Sequence, residues 1–114
     1  MEKGLPLVAD VLRRARKENV KVVLGTDAVA GSHGRNAEEF IYRVKDGGDK
    51  PMDALMSGTS VAAASLGMGD KIGTIAAGME ADLVATEGNP LDDITAVRKV
   101  AFVMKHGKVY KEAR

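Results

Sequence analysis

Cysteine and tryptophan are absent from this chain of 114 residues, and other aromatic residues are few. Without cysteine, the chain has no disulfide bonds, no thiolate metal ligands and no cysteine nucleophile. Its aromatic side chains are Phe40, Tyr42, Phe102 and Tyr110. So sparse a set offers no stacking platform for nucleic-acid bases. The core must therefore be built from Val, Leu, Ile, Ala and Met.

Long apolar runs and an excess of charge of one sign are also missing. No apolar run approaches the ~20 residues that a membrane-spanning helix needs. The net charge of +1 gives neither a nucleic-acid footprint nor an acidic tail. The chain starts with a mixed-charge stretch rather than a signal peptide. We therefore expect a cytoplasmic protein with no nucleic-acid and no membrane partner.

The apolar pattern predicts an α/β organisation up to about Gly67. Helical spacing of apolar residues predicts a helix over residues 5–18. The apolar run over residues 20–24 is typical of a buried parallel strand. Asn36 is suited to cap a second helix, and Pro51 to open a third.

The remainder of the chain has a β-rich pattern with frequent glycines. Alternating residues predict a strand over residues 97–105, and His106-Gly107 resembles a tight hairpin turn. Thr59 or Ser60 can cap a short helix that Gly67 ends. Neither hydroxyl has an obvious base partner nearby, so capping is favoured over a nucleophilic role.

A carboxylate follows the predicted strand directly, in the run Gly25-Thr26-Asp27. In α/β enzymes the chemistry lies just beyond the carboxyl ends of such strands. Asp27 is therefore suited to bind a metal or to move a proton, although Gly-Thr-Asp also occurs in ordinary surface turns. His33 follows in the same loop, where it faces an active site or is merely solvated.

The basic residues of the first predicted helix have two interpretations. They form a phosphate patch or a solvated face, and the absence of a Gly-rich or aromatic partner favours the solvated face. These residues are Arg13, Arg14, Arg16 and Lys17.

The ordered series of motifs resembles the C-terminal end of the amidohydrolase superfamily, in its imidazolonepropionase-like and prolidase-like branch. Gly-Thr-Asp alone is weak evidence, whereas the series in order is specific and covers nearly the whole chain. The motifs are Val22-Val23-Leu24-Gly25-Thr26-Asp27-Ala28, His33-Gly34-Arg35-Asn36-Ala37-Glu38-Glu39-Phe40, Asp70-Lys71-Ile72-Gly73-Thr74-Ile75, Ala81-Asp82-Leu83-Val84, Gly88-Asn89-Pro90-Leu91 and Val103-Met104-Lys105-His106-Gly107-Lys108-Val109-Tyr110.

The resemblance implies a metal-dependent (β/α)₈ barrel with a small β-sandwich. Residues 1–67 would be the last βα segment of the barrel, with residues 20–24 as its final strand. Residues 68–114 would be the β-rich C-terminal portion of the sandwich. The implied activity is metal-dependent hydrolysis of C–N bonds in a small amide or dipeptide substrate.

The resemblance also implies roles for three residues. Asp27 would bind a divalent metal, which we expect to be zinc, and accept a proton from the metal-bound water. His33 and Asn36 would contact substrate. The His-x-His pair, the bridging lysine and the further histidine ligands of the family are all missing from this sequence. Since a catalytic zinc needs about three protein ligands, this chain alone would hold no metal tightly.

Three hypotheses follow. In the first, the chain is a C-terminal amidohydrolase fragment, inactive until it meets the missing N-terminal barrel portion. In the second, it is a non-catalytic scaffold or interaction module that self-associates through exposed apolar faces and strand edges. In the third, it is a small hydrolase whose metal site forms between subunits of a homo-oligomer from Asp27, His33 and Glu38.

Overall fold

The computed structural model describes residues 5–25 and 34–112. Within them, helices come first and an antiparallel sheet follows. A 3₁₀ helix lies between the first and second strands. The elements are α1 (Leu5–Lys17), α2 (Glu38–Lys45), α3 (Pro51–Ser57), α4 (Ser60–Ser65), β1 (Leu83–Thr86), the 3₁₀ helix (Ile94–Arg98), β2 (Val100–Lys105) and β3 (Lys108–Lys111).

Helix α1 confirms the predicted first helix, and its end shows why it stops. Asn19 has a left-handed φ of 57°. The Asn19 N–H donates to Arg16 O, and the Val20 N–H donates to Ala15 O at 2.8 Å. This pair of bonds is the Schellman arrangement that satisfies the last carbonyls of a helix. The chain therefore leaves α1 abruptly and enters residues 20–25.

The other helices begin near the predicted positions, but the residues predicted to cap them do not do so. Pro51 opens α3 as predicted. Asn36 is not the cap of α2, because Ala37 holds that position and makes no side-chain cap bond. Thr59 does precede α4, but its hydroxyl donates to Leu55 O of the preceding helix instead of capping α4.

The core joins the helical part to the 3₁₀ helix. Ile41 of α2 packs with Ile94 and Val97, and all three are buried. Four half-buried apolar residues surround them: Ala37, Phe40, Val44 and Leu55. The apolar side of α2 therefore faces this core. Because the core crosses residue 67, the helices and the sheet are held together, and the division into two domains stays a prediction.

The three strands form one antiparallel sheet in the order β1-β2-β3. His106 and Gly107 join β2 to β3 with φ values of 50° and 75°. Two successive left-handed residues match the tight hairpin turn that the sequence predicts. The His106 N–H donates to Asp82 Oδ1, and its Nδ1 lies 2.9 Å from Glu80 Oε2. His106 therefore ties the hairpin to the loop before β1, which is a structural role.

Two strand predictions are corrected by the structure. Residues 20–25 contain no strand in the described part of the chain, because a strand requires a ladder of bonds to a neighbour, and none is paired there. Residues 94–98 are a 3₁₀ helix, so the strand predicted over 97–105 begins only at Val100. The cause is Asp93, whose side chain accepts bonds from the Thr95 N–H and hydroxyl and turns the chain.

Across residues 5–25 and 34–112, the structure has no helix with both the length and the apolar character to cross a membrane.

Candidate active site

Two of the three predicted site residues, Asp27 and His33, lie outside the described residues. Asn36 is described and lies exposed just before α2, where its backbone carbonyl accepts from the Glu39 N–H at 3.2 Å. Its role as a substrate contact stays a prediction. The structure shows what holds the chain on either side of residues 26–33.

The segment before Asp27, residues 20–25, is held by the layer of α2 and α3. The Leu24 N–H donates to Ser57 O at 3.0 Å. The Arg43 Nη1 donates to Val22 O at 3.0 Å. Two backbone groups of this short segment therefore have fixed partners, although the segment is not part of a sheet.

The arginine that bonds this segment, Arg43, is part of an ion-pair network. The carboxylate of Asp49 is buried, with 8% of the residue exposed. It accepts from Arg43 Nε at 2.9 Å and from Arg16 Nη1. Arg16 also donates to Gly47 O, and Arg13 donates to Asp46 O. The network ties α1 to the loop after α2, so part of the basic cluster is structural rather than merely solvated.

Sequence reasoning missed this network, and the sequence carries little signal for it. Arg13 and Arg16 stand three residues apart on α1 and so share one face of the helix. Arg13, however, bonds the main-chain carbonyl of Asp46, which no side-chain pattern marks. The spacing on α1 does not say which segment meets that face.

Gly58 allows the segment to pack closely against the helices. A Cβ at this position would lie 2.7 Å from Phe40 Cζ and 3.2 Å from Leu24 Cδ2. Real Cβ atoms do not approach other atoms as closely as the first distance. The end of α3, the ring of Phe40 and the side chain of Leu24 therefore meet where a larger residue would require Phe40 to shift.

On the C-terminal side of residues 26–33, a long-range ion pair joins the start of α2 to the 3₁₀ helix. Arg98 Nε donates to both carboxylate oxygens of Glu38, at 3.1 and 2.9 Å. Glu38 lies in the first turn of α2, where a negative charge is favourable. Glu38 is thus engaged with the 3₁₀ helix, which weakens the hypothesis that it supplies a metal ligand.

The described residues do not make a metal site. Among residues 5–25 and 34–112, no three His, Asp or Glu side chains are grouped so that they could hold a metal ion. A catalytic zinc site needs about three protein ligands and an open position. The residues present in the described part therefore do not fit a resident metal on their own.

Comparison with known proteins shows which family the chain is similar to. The sequence profile of the amidohydrolase family matches residues 8–110. An ochratoxinase of Aspergillus niger is 38% identical over 101 residues, which are 85% of this chain and 21% of that protein. The chain therefore spans about a fifth of the length of the curated relatives it matches.

Solved structures give the same result. A Xaa-Pro dipeptidase with methionine bound in its active site superposes with a TM-score of 0.87 and 40% identity, covering 93% of this chain and 26% of that chain. A prolidase in complex with N-methylphosphonate-L-proline reaches 0.83 and 34%, covering 91% and 26%. The A. niger ochratoxinase reaches 0.80 and 33%, covering 91% and 24%.

Proposed function

Because the chain belongs to the amidohydrolase family, we propose that it is the C-terminal part of a metal-dependent hydrolase of C–N bonds, with Xaa-Pro-like dipeptides as substrates. The likeness to the Xaa-Pro dipeptidase carries this proposal, since it combines 40% identity with a TM-score of 0.87 over 93% of the chain. The Xaa-Pro dipeptidase and the prolidase complex each have 26% of their chain matched.

In this proposal, residues 20–24 form the last strand of a (β/α)₈ barrel once neighbouring strands are supplied. Helices α2 to α4 lie on the outside of that barrel, and residues 68–114 contribute the sheet to a β-sandwich. The fixed backbone of Val22 and Leu24 supports this placement, because it presents residues 20–25 as a pre-formed element. Active sites of such barrels lie at the carboxyl ends of the strands, which is where Asp27 follows.

Asp27 is the residue proposed to carry the chemistry. A carboxylate there can take up a proton as water attacks the carbonyl carbon of the scissile bond. It would also be one ligand of a divalent metal, zinc in our proposal, whose other ligands come from the N-terminal barrel portion. A metal of this kind lowers the pKa of bound water to ~7. His33 and Asn36 are proposed to contact the substrate.

Reconstitution tests the proposal directly. The 114-residue chain is mixed with the Xaa-Pro dipeptidase from which the matched segment has been deleted, and hydrolysis of Met-Pro is followed with zinc, with manganese and with EDTA. We expect metal-dependent hydrolysis by the mixture and none by either piece. Activity of the chain by itself, or none in the mixture, would contradict the proposal.

The role of Asp27 is tested in the same mixture. Asp27→Asn keeps the shape of the side chain and removes its charge, so we expect a loss of about 100-fold or more in kcat. Asp70→Asn is the matched control, because Asp70 is exposed in the turn after α4, and it should leave kcat unchanged. Full activity of Asp27→Asn would exclude the proposed role.

A second candidate is a self-associating module, and the exposed apolar side chains favour it. Ile75 is 87% exposed, Leu7 72% and Leu66 70%. Apolar patches left open on a surface are typical of interaction sites. The same side chains serve the first proposal if the barrel portion covers them, so the two candidates differ in the partner and not in the surface.

A further inference from the structure

A single arginine connects the segment before Asp27 to the helical layer. Arg43 of α2 donates through Nη1 to Val22 O and through Nε to Asp49 Oδ2. Its side chain is only 11% exposed, and that of Asp49 is 7% exposed. A guanidinium is a rigid planar fork, so fixing one arm fixes the direction of the other. Asp49 therefore sets where Arg43 presents its second donor.

The Asp49 carboxylate that orients the Arg43 guanidinium is itself held by α1. Asp49 also binds Arg16 of α1, and Arg16 donates further to Gly47 O at 2.9 Å. The carboxylate is held between two helices and cannot follow Arg43 if Arg43 moves. Charge-assisted bonds of this kind are about twice as strong as neutral ones. Arg43 is thus a rigid strut between α2 and residues 20–25.

The strut acts together with a second anchor nearer to the loop. The Leu24 N–H is bonded to Ser57 O, and the Leu24 side chain lies against the site where Gly58 lacks a Cβ. Asp27 follows three residues later, and three residues span at most about 11 Å. A shift of residues 20–25 therefore moves the point from which the chain continues to Asp27. Misplacement by about 1 Å can reduce a rate about 100-fold.

We infer that Arg43 is a positioning residue for Asp27, and this inference rests on the proposed function. Its fork holds the Val22 carbonyl, which sets where residues 22–25, the residues that precede Asp27 in sequence, lie. Asp49 sets the fork. Arg43 touches neither substrate nor metal in this scheme, and its effect on the reaction passes through residues 22–27.

Amide hydrogen exchange in the 114-residue chain tests the mechanical part. Arg43→Lys keeps the charge and most of the stem but loses the two-armed fork. We expect the Leu24 amide to exchange about tenfold faster in Arg43→Lys, while the β2 amides keep their rates. Arg14→Lys is the matched control, because Arg14 is exposed on α1, and it should leave the Leu24 amide unchanged.

Kinetics of the reconstituted enzyme test the catalytic part. Arg43→Lys should lower kcat for Met-Pro about tenfold with KM nearly unchanged, because substrate contacts are untouched and the catalytic carboxylate is displaced. Asp49→Asn removes the charge that sets the fork, and it should lower kcat in the same direction. A merely structural role would lower the amount of folded protein without changing kcat per active site.

The outcomes separate this inference from the function on which it rests. An unchanged Leu24 amide in Arg43→Lys, equal acceleration of all amides, or an unchanged kcat would each overturn the positioning role while an active wild-type mixture upholds the function. An inactive wild-type mixture overturns the function, and the positioning role falls with it. A local change in exchange together with a fall in kcat alone supports both.

Discussion

Asp49 shows how much of this structure depends on one buried carboxylate. It accepts from Arg43 of α2 and from Arg16 of α1, and both bonds cross between separate elements. A buried ion pair adds little net stability compared with apolar packing, because desolvation offsets the attraction. Breaking such a pair is costly, since the remaining charge is left uncompensated. Removing Asp49 while keeping Arg16 and Arg43 therefore tests how much stability depends on this carboxylate.

Replacing Asp49 should destabilise the chain strongly. Asp49→Ala leaves the guanidinium of Arg43 nearly buried without its partner, so we expect a loss of about 3 kcal/mol in the free energy of unfolding. Urea denaturation followed by circular dichroism measures this value. Asp46→Ala is the control, because Asp46 is exposed at the end of α2, and its loss should fall within about 0.5 kcal/mol. Equal effects of the two would contradict the role given to Asp49.

The close approach at Gly58 gives a second residue-scale prediction. Gly58→Ala places a methyl group 2.7 Å from Phe40 Cζ, and overpacking of this kind costs about 1–3 kcal/mol. Gly69→Ala is the matched control, because its nearest neighbour would be Ala64 Cα at an ordinary 3.7 Å. Thermal denaturation should show a lower Tm for Gly58→Ala only. A Gly58→Ala protein as stable as the wild type would show that Phe40 moves aside freely.

Single residues were the scale at which the sequence was least informative. The position of Asp27 after an apolar run predicts a functional carboxylate, and that prediction stays untested because Asp27 lies outside the described residues. The partners of Asp49 were not predicted at all. Periodicity identifies which face of an element is apolar, but it does not say which distant charge will be buried against it.

At the scale of elements, local chemistry decided the outcome more often than the apolar pattern. The 3₁₀ helix Ile94–Arg98 forms where alternation predicts strand, because Asp93 bonds the Thr95 N–H and hydroxyl. The same bonds lower the pKa of the Asp93 carboxyl, with the Thr95 side chain as the first cause and its backbone N–H as the second. The charged carboxylate is thus favoured in the folded state.

This cap should make stability depend on pH in a defined direction. A pKa lowered by folding contributes stability above the ordinary pKa of aspartate near 4, and the contribution is lost as the pH falls through the lowered value. Asp93→Asn should therefore be less stable than the wild type at neutral pH, and the difference should shrink as the pH falls below the ordinary pKa of aspartate. Urea titrations at several pH values measure it.

Thr95→Val provides the comparison for that experiment. It removes the hydroxyl that is the largest cause of the shift and keeps the backbone N–H. The pH dependence should become smaller without disappearing. A difference between Asp93→Asn and wild type that stays constant from neutral to acid pH would show that the cap does not depend on the charge.

Element types were predictable where the pattern was local and complete. The first helix, the opening of α3 at Pro51 and the His106-Gly107 hairpin all appear as the sequence predicts. The strand over residues 20–24 was not found in the described residues, because parallel strands depend on neighbours far away in sequence. An apolar run predicts burial, and the partners that turn burial into a strand must come from elsewhere.

For the molecule as a whole, the ordered motifs carried most of the information. They indicated the amidohydrolase superfamily, and the family match over residues 8–110 confirms it. The small antiparallel sheet at the end of the chain is also confirmed. The ion-pair network that holds α1 to α2 was beyond reach, since no motif encodes it.

The exposed apolar surface leads to a prediction about association. Leu7 and Val11 lie one turn apart on α1 and are 72% and 62% exposed. We expect the wild-type chain to self-associate in a concentration-dependent way, and Leu7→Lys with Val11→Lys to reduce this association. Multi-angle light scattering over a concentration series measures the mass.

The control for this experiment carries the same change in charge. The double variant adds two positive charges, and Glu87→Lys also adds two by replacing a negative charge with a positive one. Glu87 is exposed directly after β1 and is not part of α1, so its variant should associate like the wild type. A wild-type chain that stays monomeric at high concentration would contradict the prediction.

The core contact between Ile41 and the pair Ile94 and Val97 also bears on how the protein is made. Ribosomes release chains from the N-terminus at about 5–20 residues per second. The apolar side of α2 is thus synthesised several seconds before Ile94 and Val97, and it stays exposed during that time. During that interval α2 is open to binding by a nascent-chain chaperone or, under the proposed function, by the barrel portion.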